Sequence, residues 1–230
     1  MKSTPDHLDI LFEDNHLIIV NKKPGDIVQG DKTGDIPLSE IVKAYIKKKY
    51  KKPGNVFLGV VHRLDRPTSG AVIFARTSKA LTRLNQMLKD KNIQKTYWAI
   101  VKNVPPEKQS ILIHYLIKNP KNNKSTAYDE EKTGSKKAVL NYKIIGKSDN
   151  YYLLEIDLKT GRHHQIRSQL AKIGSPIKGD LKYGFSRSNP DKGISLHARK
   201  LEFMHPVSKK EIQVIAPTPK NDIWKKFLIK

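Results

Sequence analysis

The chain has 230 residues, no cysteine, and 44 basic against 22 acidic side chains, which gives a formal net charge of +22. The lack of cysteine excludes disulfides, thiolate metal sites and cysteine nucleophiles, and no apolar run has the length needed to cross a bilayer. Acidic side chains within the first twenty residues are incompatible with a signal peptide, so we expect a soluble, cytoplasmic protein without membrane contact.

The excess of positive charge favours a polyanionic partner, and nucleic acid is the most common one. Lysine supplies 36 of the 44 basic residues. A general preference for lysine on protein surfaces is therefore an alternative explanation, and the charge alone does not decide between the two.

The first ninety residues are predicted to contain four strands and two helices. An amphipathic helix is predicted over 37–50, and its far end, 43–52, holds six lysines that suit either a solvated helix end or a phosphate-binding patch. A second helix is predicted over 78–90, with Thr77 or Ser78 as its cap. The predicted strands are residues 8–13, 16–21, 56–61 and 71–76. The first two strands form a predicted hairpin.

The rest of the chain is richer in strands. Two helices are predicted, one over 163–173 and a terminal one over roughly 221–229, whose apolar face includes Leu228. Residues 118–137 are polar and are predicted to form an exposed loop. The predicted strands are residues 94–103, 110–116, 138–145, 151–159, 195–203 and 211–215.

About ten short strands and four helices that do not alternate strictly favour an α+β fold with a mixed, largely antiparallel sheet flanked by helices. The chain contains no repeat and no long linker. We interpret residues 1–230 as one catalytic domain, and 118–137 is the only candidate seam, that is, the only place where a boundary between two domains could fall.

Three familiar motifs can be dismissed. The Gly-Lys-Ser at 146–148 lacks the glycine that a phosphate-binding loop places five residues before its lysine, because position 142 is Tyr. The HRLDR segment (62–66) resembles a kinase catalytic loop but has Leu between Arg and Asp. His163 and His164 are adjacent and would diverge on the predicted helix, so they form a poor metal pair, and we expect no metal site.

Arginine is used sparingly and unevenly. Four of the eight arginines lie in two short segments, 62–66 and 160–167. The planar guanidinium grips a carboxylate or phosphate with two parallel hydrogen bonds, which an ammonium group cannot do. The pattern favours a specific function for these arginines, although local packing or chance is the alternative.

Asp65 lies between Arg63 and Arg66 and is followed by Pro67, so we expect it on a loop or at a strand end, where reactive groups are often displayed. A neighbouring arginine favours the ionised carboxylate. Such an anion can attack carbon without a base to remove a proton. The alternative is a plain salt bridge.

Tyr97 and Arg167 each allow two interpretations. Tyr97 lies in the predicted strand KTYWAIV, and on sequence alone a core tyrosine with a satisfied hydroxyl is the favoured interpretation. Arg167 follows His163 and His164 by four and three residues, so a shared helix face is predicted. The start of a helix that is rich in hydrogen-bond donors is also a natural phosphate site.

Five segments occur together in one order along most of the chain, and this set resembles the RluA family of RNA pseudouridine synthases. The segments are ILFEDNHLIIVNKKPG (10–25), HRLDRPTSG (62–70), KTYWAIV (95–101), LKTGRHHQIRSQLAKIGSPIKGDLKYG (158–184) and LHARKLEFMHP (196–206). The single motifs are not specific, but the ordered set is. The resemblance implies the α+β pseudouridine synthase fold, with an active-site cleft across the sheet.

The resemblance also implies a mechanism. Asp65 would be the catalytic aspartate that covalently engages the target uridine while its glycosidic bond breaks, and the uracil would rotate and rejoin through carbon five. Arg167 matches the arginine that pairs with that aspartate, Tyr97 the tyrosine that lies against the base, and Leu196 an apolar residue that packs the base. Arg63 is a candidate for stabilising the flipped-out nucleotide, and flipping is required because a stacked nucleotide cannot present its sugar carbon.

On the same resemblance, substrate-binding roles extend to other residues of the two arginine-containing segments, and neither cofactor nor metal is expected. The additional substrate-binding candidates are His62, Arg66, Arg162, His164 and Gln165. With Asp65 paired to Arg167, Arg63 and Arg66 would be available to face RNA.

Two departures from the family pattern stand out. His163 occupies a position where the family commonly has Thr, and the turn NKKPG carries an extra Lys. We also expect the N-terminal RNA-binding module of many relatives to be lacking, so that target choice would rest on the catalytic domain and its basic surface.

The leading hypothesis is therefore a site-specific uridine isomerase that acts as a monomer on structured tRNA or rRNA. A non-catalytic RNA-binding or ribosome-assembly protein on the same fold is the first alternative. A nucleic-acid glycosidase or hydrolase is the second, and it would release free base.

Overall fold

The computed structural model describes residues 2–31 and 33–228, without the side chain of Leu228. The chain forms two compact units, one of Met1–Lys95 with Ala198–Pro219 and one of Thr96–His197 with Lys220–Lys230. Their boundaries do not fall in 118–137, the predicted seam. The assignment of residues 1–230 to one catalytic domain stays a prediction.

The first unit is built on a sheet with the strand order β1, β2, β4, β10, β11, with β3 also paired to β4. Its strands are β1 (Ile10–Glu13), β2 (Leu17–Lys22), β3 (Gly59–Val60), β4 (Ser69–Ala75), the part of β10 (Leu196–Met204) from Ala198 onward, and β11 (Glu211–Ile215). Its helices are α1 (Leu38–Lys49), α2 (Ser78–Lys89) and a 3-10 turn at Pro5–His7. As predicted, β1 and β2 form a hairpin.

The core of this unit lies between the sheet and α2. Every residue of β4 is buried. Its alternate residues Ala71, Ile73 and Ala75 pack in one cluster with side chains of β2 and α2, which include Leu17, Ile19, Ala80 and Leu84. The helix begins where the sequence predicts, because the Thr77 side chain accepts a hydrogen bond from the backbone N–H of Ala80. The core fixes the position of β4 and of the loop that leads into it.

The second unit is an antiparallel sheet in the order β5, β9, β8, β6, β7. Its strands are the part of β5 (Ile93–Val101) from Thr96 onward, β6 (Gln109–Asn119), β7 (Lys124–Tyr128), β8 (Lys136–Lys147) and β9 (Tyr152–Leu158). Its helices are α3 (Gln165–Lys172), α4 (Asp222–Leu228) and a 3-10 turn at Leu181–Tyr183. The C-terminal helix packs on the sheet, because Trp224 is buried against Ile100 and Leu153.

Strands paired antiparallel and four α-helices confirm the predicted α+β class. The exposed loop predicted over 118–137 is wrong, because β7 lies within it and pairs with the end of β6. The predicted strand 56–61 shrinks to two residues. Residue 229 and the side chain of Leu228, which the predicted terminal helix includes, lie outside the described residues.

In the part of the chain that is described, no helix combines the length and apolar character that a membrane crossing requires.

The predicted start of the helix over 163–173 is also wrong. The helix begins at Gln165, and His164 precedes it with φ of 52°, in the left-handed region. That conformation costs a residue with a Cβ about 1 kcal/mol. His163 and His164 therefore do not share a helix face with Arg167.

Gly70, at the end of the HRLDRPTSG motif, is required by its backbone. Its φ is +115°, and a Cβ at this position would lie 2.4 Å from the carbonyl oxygen of Ala198. We expect Gly70→Ala to lower the free energy of unfolding by about 2–4 kcal/mol, as strain and overpacking combine. Urea unfolding measures this change. The control is Gly54→Ala, whose Cβ meets nothing within 4 Å, and an equal effect in both variants would contradict the prediction.

Candidate active site

In the first unit, the HRLDR motif lies on the loop between β3 and β4, as predicted for Asp65. The backbone carbonyl of Asp65 accepts a hydrogen bond from the N–H of Thr68 at 3.0 Å. Thr68 and Ser69 are buried immediately behind it. The Asp65 side chain is thus displayed by a tight turn whose base is anchored in β4.

His62 holds the start of this loop against β4. Its Nε2 accepts a hydrogen bond from the backbone N–H of Ile73 at 3.1 Å. Burial, with a smaller contribution from the charge of Lys95, lowers the pKa of His62 to about 3. The imidazole is therefore neutral at physiological pH, as an acceptor must be. Its predicted role in substrate binding stays a prediction.

Lys22 fixes the other side of the Asp65 loop. Its Nζ is almost fully buried and donates to the carbonyl oxygens of Lys23 and Arg66, each at 3.0 Å. The N–H of Gly25 donates to the same Arg66 oxygen at 2.9 Å. Burial lowers the pKa of Lys22 to about 7, against the opposing effect of nearby carboxylates. The turn NKKPG is thereby clamped to the backbone that follows Asp65.

The two arginines that flank Asp65 differ in their surroundings. Arg63 is exposed. Arg66 forms an ion pair with Asp35, and its guanidinium lies 3.4 Å from the Thr33 hydroxyl. Arg66 is therefore already engaged by an acidic side chain, whereas Arg63 is directly accessible to solvent.

In the second unit, Tyr97 and Leu196 lie on two strands that a backbone hydrogen bond links. Tyr97 is buried on β5 opposite Ile156 of β9. Leu196 is the buried first residue of β10. The N–H of Ile100 on β5 donates to the carbonyl of Ser195, directly before Leu196, at 2.9 Å. This bond fixes the two side chains predicted to contact the base on adjacent backbones.

Arg167 is buried in α3 and is paired with Asp180 through two parallel hydrogen bonds. Its Nε lies 2.7 Å from Oδ2, and one terminal nitrogen lies 2.8 Å from Oδ1. Both side chains are less than a tenth exposed. The two-pronged geometry that the sequence predicts for Arg167 is realised with a carboxylate thirteen residues away, and the pairing of Arg167 with Asp65 stays a prediction.

Gln165 organises the turn that precedes α3. Its Oε1 accepts from the Thr160 hydroxyl at 2.8 Å and from the N–H of Arg162 at 3.0 Å. Its Nε2 donates to the carbonyl of Val139 at 3.1 Å. The exposed Arg162 donates from Nε to the carbonyl of Lys137. The Gln165 side chain therefore holds the backbone of this turn, while most of Arg162 remains available to solvent.

His163 and His164 form a stacked pair at the same turn, with ring centroids 3.8 Å apart. His163 Nδ1 lies 2.9 Å from the Ser125 hydroxyl on β7, and His164 Nδ1 lies 3.0 Å from the Tyr183 hydroxyl. Burial, together with the charge of Arg167, lowers the pKa of His164 to about 2. The unusual His163 thus contacts β7, and both rings contribute to structure here.

Sequence reasoning missed Lys22, Asp180 and Tyr183. One signal could have indicated Asp180: a buried arginine requires a carboxylate partner, and Gly179-Asp180 lies within the segment 158–184. Among the described residues, no group of three or more His, Cys, Asp or Glu side chains is arranged to hold a metal ion.

The sequence matches the RNA pseudouridylate synthase family over residues 16–172. It is 36% identical over 216 residues to an uncharacterized RNA pseudouridine synthase of Synechocystis, covering 92% of this chain and 66% of the relative. It is 33% identical to the ribosomal large subunit pseudouridine synthase D of Xylella fastidiosa, covering 93% of this chain and 67% of the relative. The chain thus spans about two thirds of the length of these relatives.

Among solved structures, the human RNA pseudouridylate synthase domain containing 4 is similar in fold. The TM-score is 0.76 at 22% sequence identity, covering 92% of this chain and 89% of that one. The human RNA pseudouridylate synthase domain containing 1 has a TM-score of 0.73, also at 22% identity, covering 95% and 86%. These similarities confirm the predicted fold.

The chain belongs to the RNA pseudouridine synthase family, whose members are isomerases that convert uridine in RNA to pseudouridine. The relatives named ribosomal large subunit pseudouridine synthases C and D confirm the more specific resemblance to the RluA family. The prediction of an RNA-modifying isomerase is thereby confirmed at the level of the family.

Proposed function

We propose that this chain isomerises specific uridines in structured ribosomal or transfer RNA, with Asp65 as the nucleophile and without a cofactor. The observation that carries the proposal is the presence of Asp65, Tyr97 and Arg167 at the matching positions of the ordered motif set. A binding protein on the same fold would have no need for all three.

The chemistry requires little beyond a positioned carboxylate. An ionised aspartate can attack carbon without a general base, and substrate and product are isomers, so the reaction consumes neither oxidant nor water. Attack of the Asp65 carboxylate on the sugar carbon would form a covalent bond as the glycosidic bond breaks, and the uracil would leave as an anion. After rotation, carbon five of the uracil would bond to the sugar carbon as the bond to Asp65 breaks. The proton on carbon five would then move to the ring nitrogen that the first step released, so that substrate and product are isomers. Tyr97 and Leu196 would contact the base and Arg167 would pair with Asp65.

Access to the nucleotide requires base flipping, because the sugar carbon of a stacked nucleotide is shielded by its neighbours. Arg63 is exposed on the loop that carries Asp65, so it can occupy the space left by the flipped base. The predicted contacts of His62, Arg66, Arg162, His164 and Gln165 with RNA belong to the same proposal.

The target is proposed to be ribosomal RNA in the first instance, since relatives 32–33% identical are named for the ribosomal large subunit. Transfer RNA is the second candidate. Asp65 belongs to the first unit, and Tyr97 and Arg167 to the second. We propose that residues 1–230 act as one catalytic domain in a monomer.

The proposal is tested with total RNA from a strain that lacks the gene. Purified protein is added, and pseudouridine is mapped at nucleotide resolution in ribosomal and transfer RNA. We expect one or a few sites to reappear. Restoration of no site would overturn the isomerase proposal, and release of free uracil in place of pseudouridine would favour a glycosidase.

A further inference from the structure

The buried pair of Arg167 and Asp180 calls for an explanation beyond stability. A buried ion pair contributes little net stability compared with apolar side chains of similar volume, because both charges lose their hydration. A fork-to-fork pair, however, fixes the plane of the guanidinium. Since Nε and one terminal nitrogen bind Asp180, the direction in which the second terminal nitrogen points is set by Asp180.

We propose that Asp180 is a positioning residue, which orients the guanidinium of Arg167 for the isomerisation, and that Tyr183 braces the pair. This inference rests on the proposed function, since it assigns a role to Arg167 in that reaction. It adds two residues that act through Arg167 and do not themselves contact the substrate.

Asp180 is held rigidly enough to serve as a reference point. Its N–H donates to the carbonyl of Ile177, and its own carbonyl accepts from the N–H groups of Tyr183 and Phe185, at 3.0–3.1 Å. Gly179, directly before it, has φ of +88°, and a Cβ there would lie 2.7 Å from the side chain of Asn189. The hydrogen bonds of Asp180 and the close packing of Gly179 against Asn189 therefore hold the backbone of Asp180 in place.

The same segment is anchored to the strands that carry Tyr97 and Leu196. The N–H of Lys178 donates to the carbonyl of Ile100 on β5, and the N–H of Ser195 donates to the carbonyl of Lys178, both at 2.8 Å. Asn189 accepts from Lys178 Nζ at 2.6 Å and donates to the Ser195 hydroxyl at 3.2 Å. Through these bonds, Asp180 fixes the orientation of the Arg167 guanidinium relative to the two strands that carry Tyr97 and Leu196, the side chains predicted to contact the base.

Tyr183 closes the other side of the pair. Its ring centroid lies 5.0 Å from the guanidinium carbon of Arg167, within the range of a cation–π contact. Its hydroxyl accepts from the N–H of Ser125 at 2.8 Å and lies 3.0 Å from His164 Nδ1. The ring is thus fixed by β7 and by the turn before α3, and it limits the motion of Arg167 out of the plane.

Replacement of Asp180 by Asn keeps the size of the side chain but removes its charge and one acceptor. Its amide group would face an N–H of Arg167, so the parallel pair is lost. We expect kcat to fall about 100-fold, as misplacement of a reacting group by about 1 Å does. KM should change less than about threefold, because phosphate contacts elsewhere dominate RNA affinity. Tyr183→Phe keeps the ring and loses the hydroxyl, so a smaller fall is expected.

The experiment measures pseudouridine formation in total RNA of the deletion strain with wild type, Asp180→Asn, Asp180→Glu and Tyr183→Phe. Phe227→Ala is the stability control: it removes a side chain that packs against the cluster of Ile100, Leu153 and Trp224 in the same unit, and a phenyl ring takes no part in the hydrogen bonds of Arg167 and Asp180. Its Tm should fall at least as far as that of Asp180→Asn while its kcat stays within about twofold of wild type.

A second measurement does not depend on activity. The Nε–H resonance of Arg167, assigned by its absence in Arg167→Lys, should exchange slowly with solvent in wild type and rapidly in Asp180→Asn. Slow exchange in both proteins would overturn the orienting role, even if the wild type modified no RNA. In an active enzyme, an unchanged kcat in Asp180→Asn, or a rise in KM alone, would overturn the inference and leave the proposed function intact.

Discussion

Asp65→Ala is expected to abolish pseudouridine formation while RNA binding stays within about threefold of wild type. The alanine methyl group cannot attack carbon, and removal of an enzymatic nucleophile typically lowers kcat by at least about 10⁴-fold. Binding should survive, because contacts of Lys and Arg with phosphates supply most of the affinity.

Backbone contacts hold the loop that carries Asp65. The turn after Asp65 is closed by its backbone carbonyl and the N–H of Thr68, and the following carbonyl is held by Lys22. Neither contact uses the Asp65 side chain. Both contacts therefore remain available in Asp65→Ala.

The measurement combines pseudouridine mapping after incubation with the deletion-strain RNA and binding of the same RNA by filter retention. Asp90→Ala is the matched control, since Asp90 is an exposed aspartate of the same unit whose side chain contacts Gln86. It should behave as wild type. Equal restoration of the same sites by Asp65→Ala and wild type would refute the catalytic assignment.

Arg167→Lys is the second substitution with a large expected effect, and we expect kcat to fall about 100-fold. The lysine keeps the positive charge but presents a single ammonium group, which cannot bond to both oxygens of Asp180 in parallel. In wild type, those two bonds are 2.7 and 2.8 Å long. The positive charge would remain, but the orientation of its hydrogen-bond donors would no longer be fixed.

Arg187→Lys provides the control for charge-conserving replacement, because Arg187 is an exposed arginine of the same unit. Single-turnover rates at saturating RNA separate the chemical step from binding. Near-normal turnover in Arg167→Lys would contradict both the predicted pairing with Asp65 and the role of Asp180. The double variant with Asp180→Asn should be little worse than Arg167→Lys alone, because residues that act through one another are not additive.

The elements that the sequence predicts well are those whose signals are local. The hairpin of β1 and β2 and both early helices follow from alternation, from periodicity and from the cap at Thr77. The segment β7 was not predicted, because KSTAY is short and polar and has only two buried residues, Ser125 and Ala127. It becomes a strand by pairing with β6, which is a tertiary effect.

The turn before α3 shows a second limit of local signals. A helix starting at His163 satisfies the apolar pattern, but the backbone reverses into the left-handed region at His164. The reason lies outside the segment: the two stacked rings bond to Ser125 and Tyr183. Contacts with distant residues here outweigh a cost of about 1 kcal/mol in local conformation.

The sequence by itself determined the α+β class, the family and the residues that its motifs mark, Asp65, Tyr97 and Arg167, because a family pattern is written in residue types and their order. Only the tertiary structure decided which groups hold them. Lys22 donates a hydrogen bond to the backbone carbonyl after Asp65, and Asp180 accepts both parallel hydrogen bonds of Arg167. Such pairings join residues from separate turns and strands, so they depend on how the chain folds back on itself and leave no periodic signal along it.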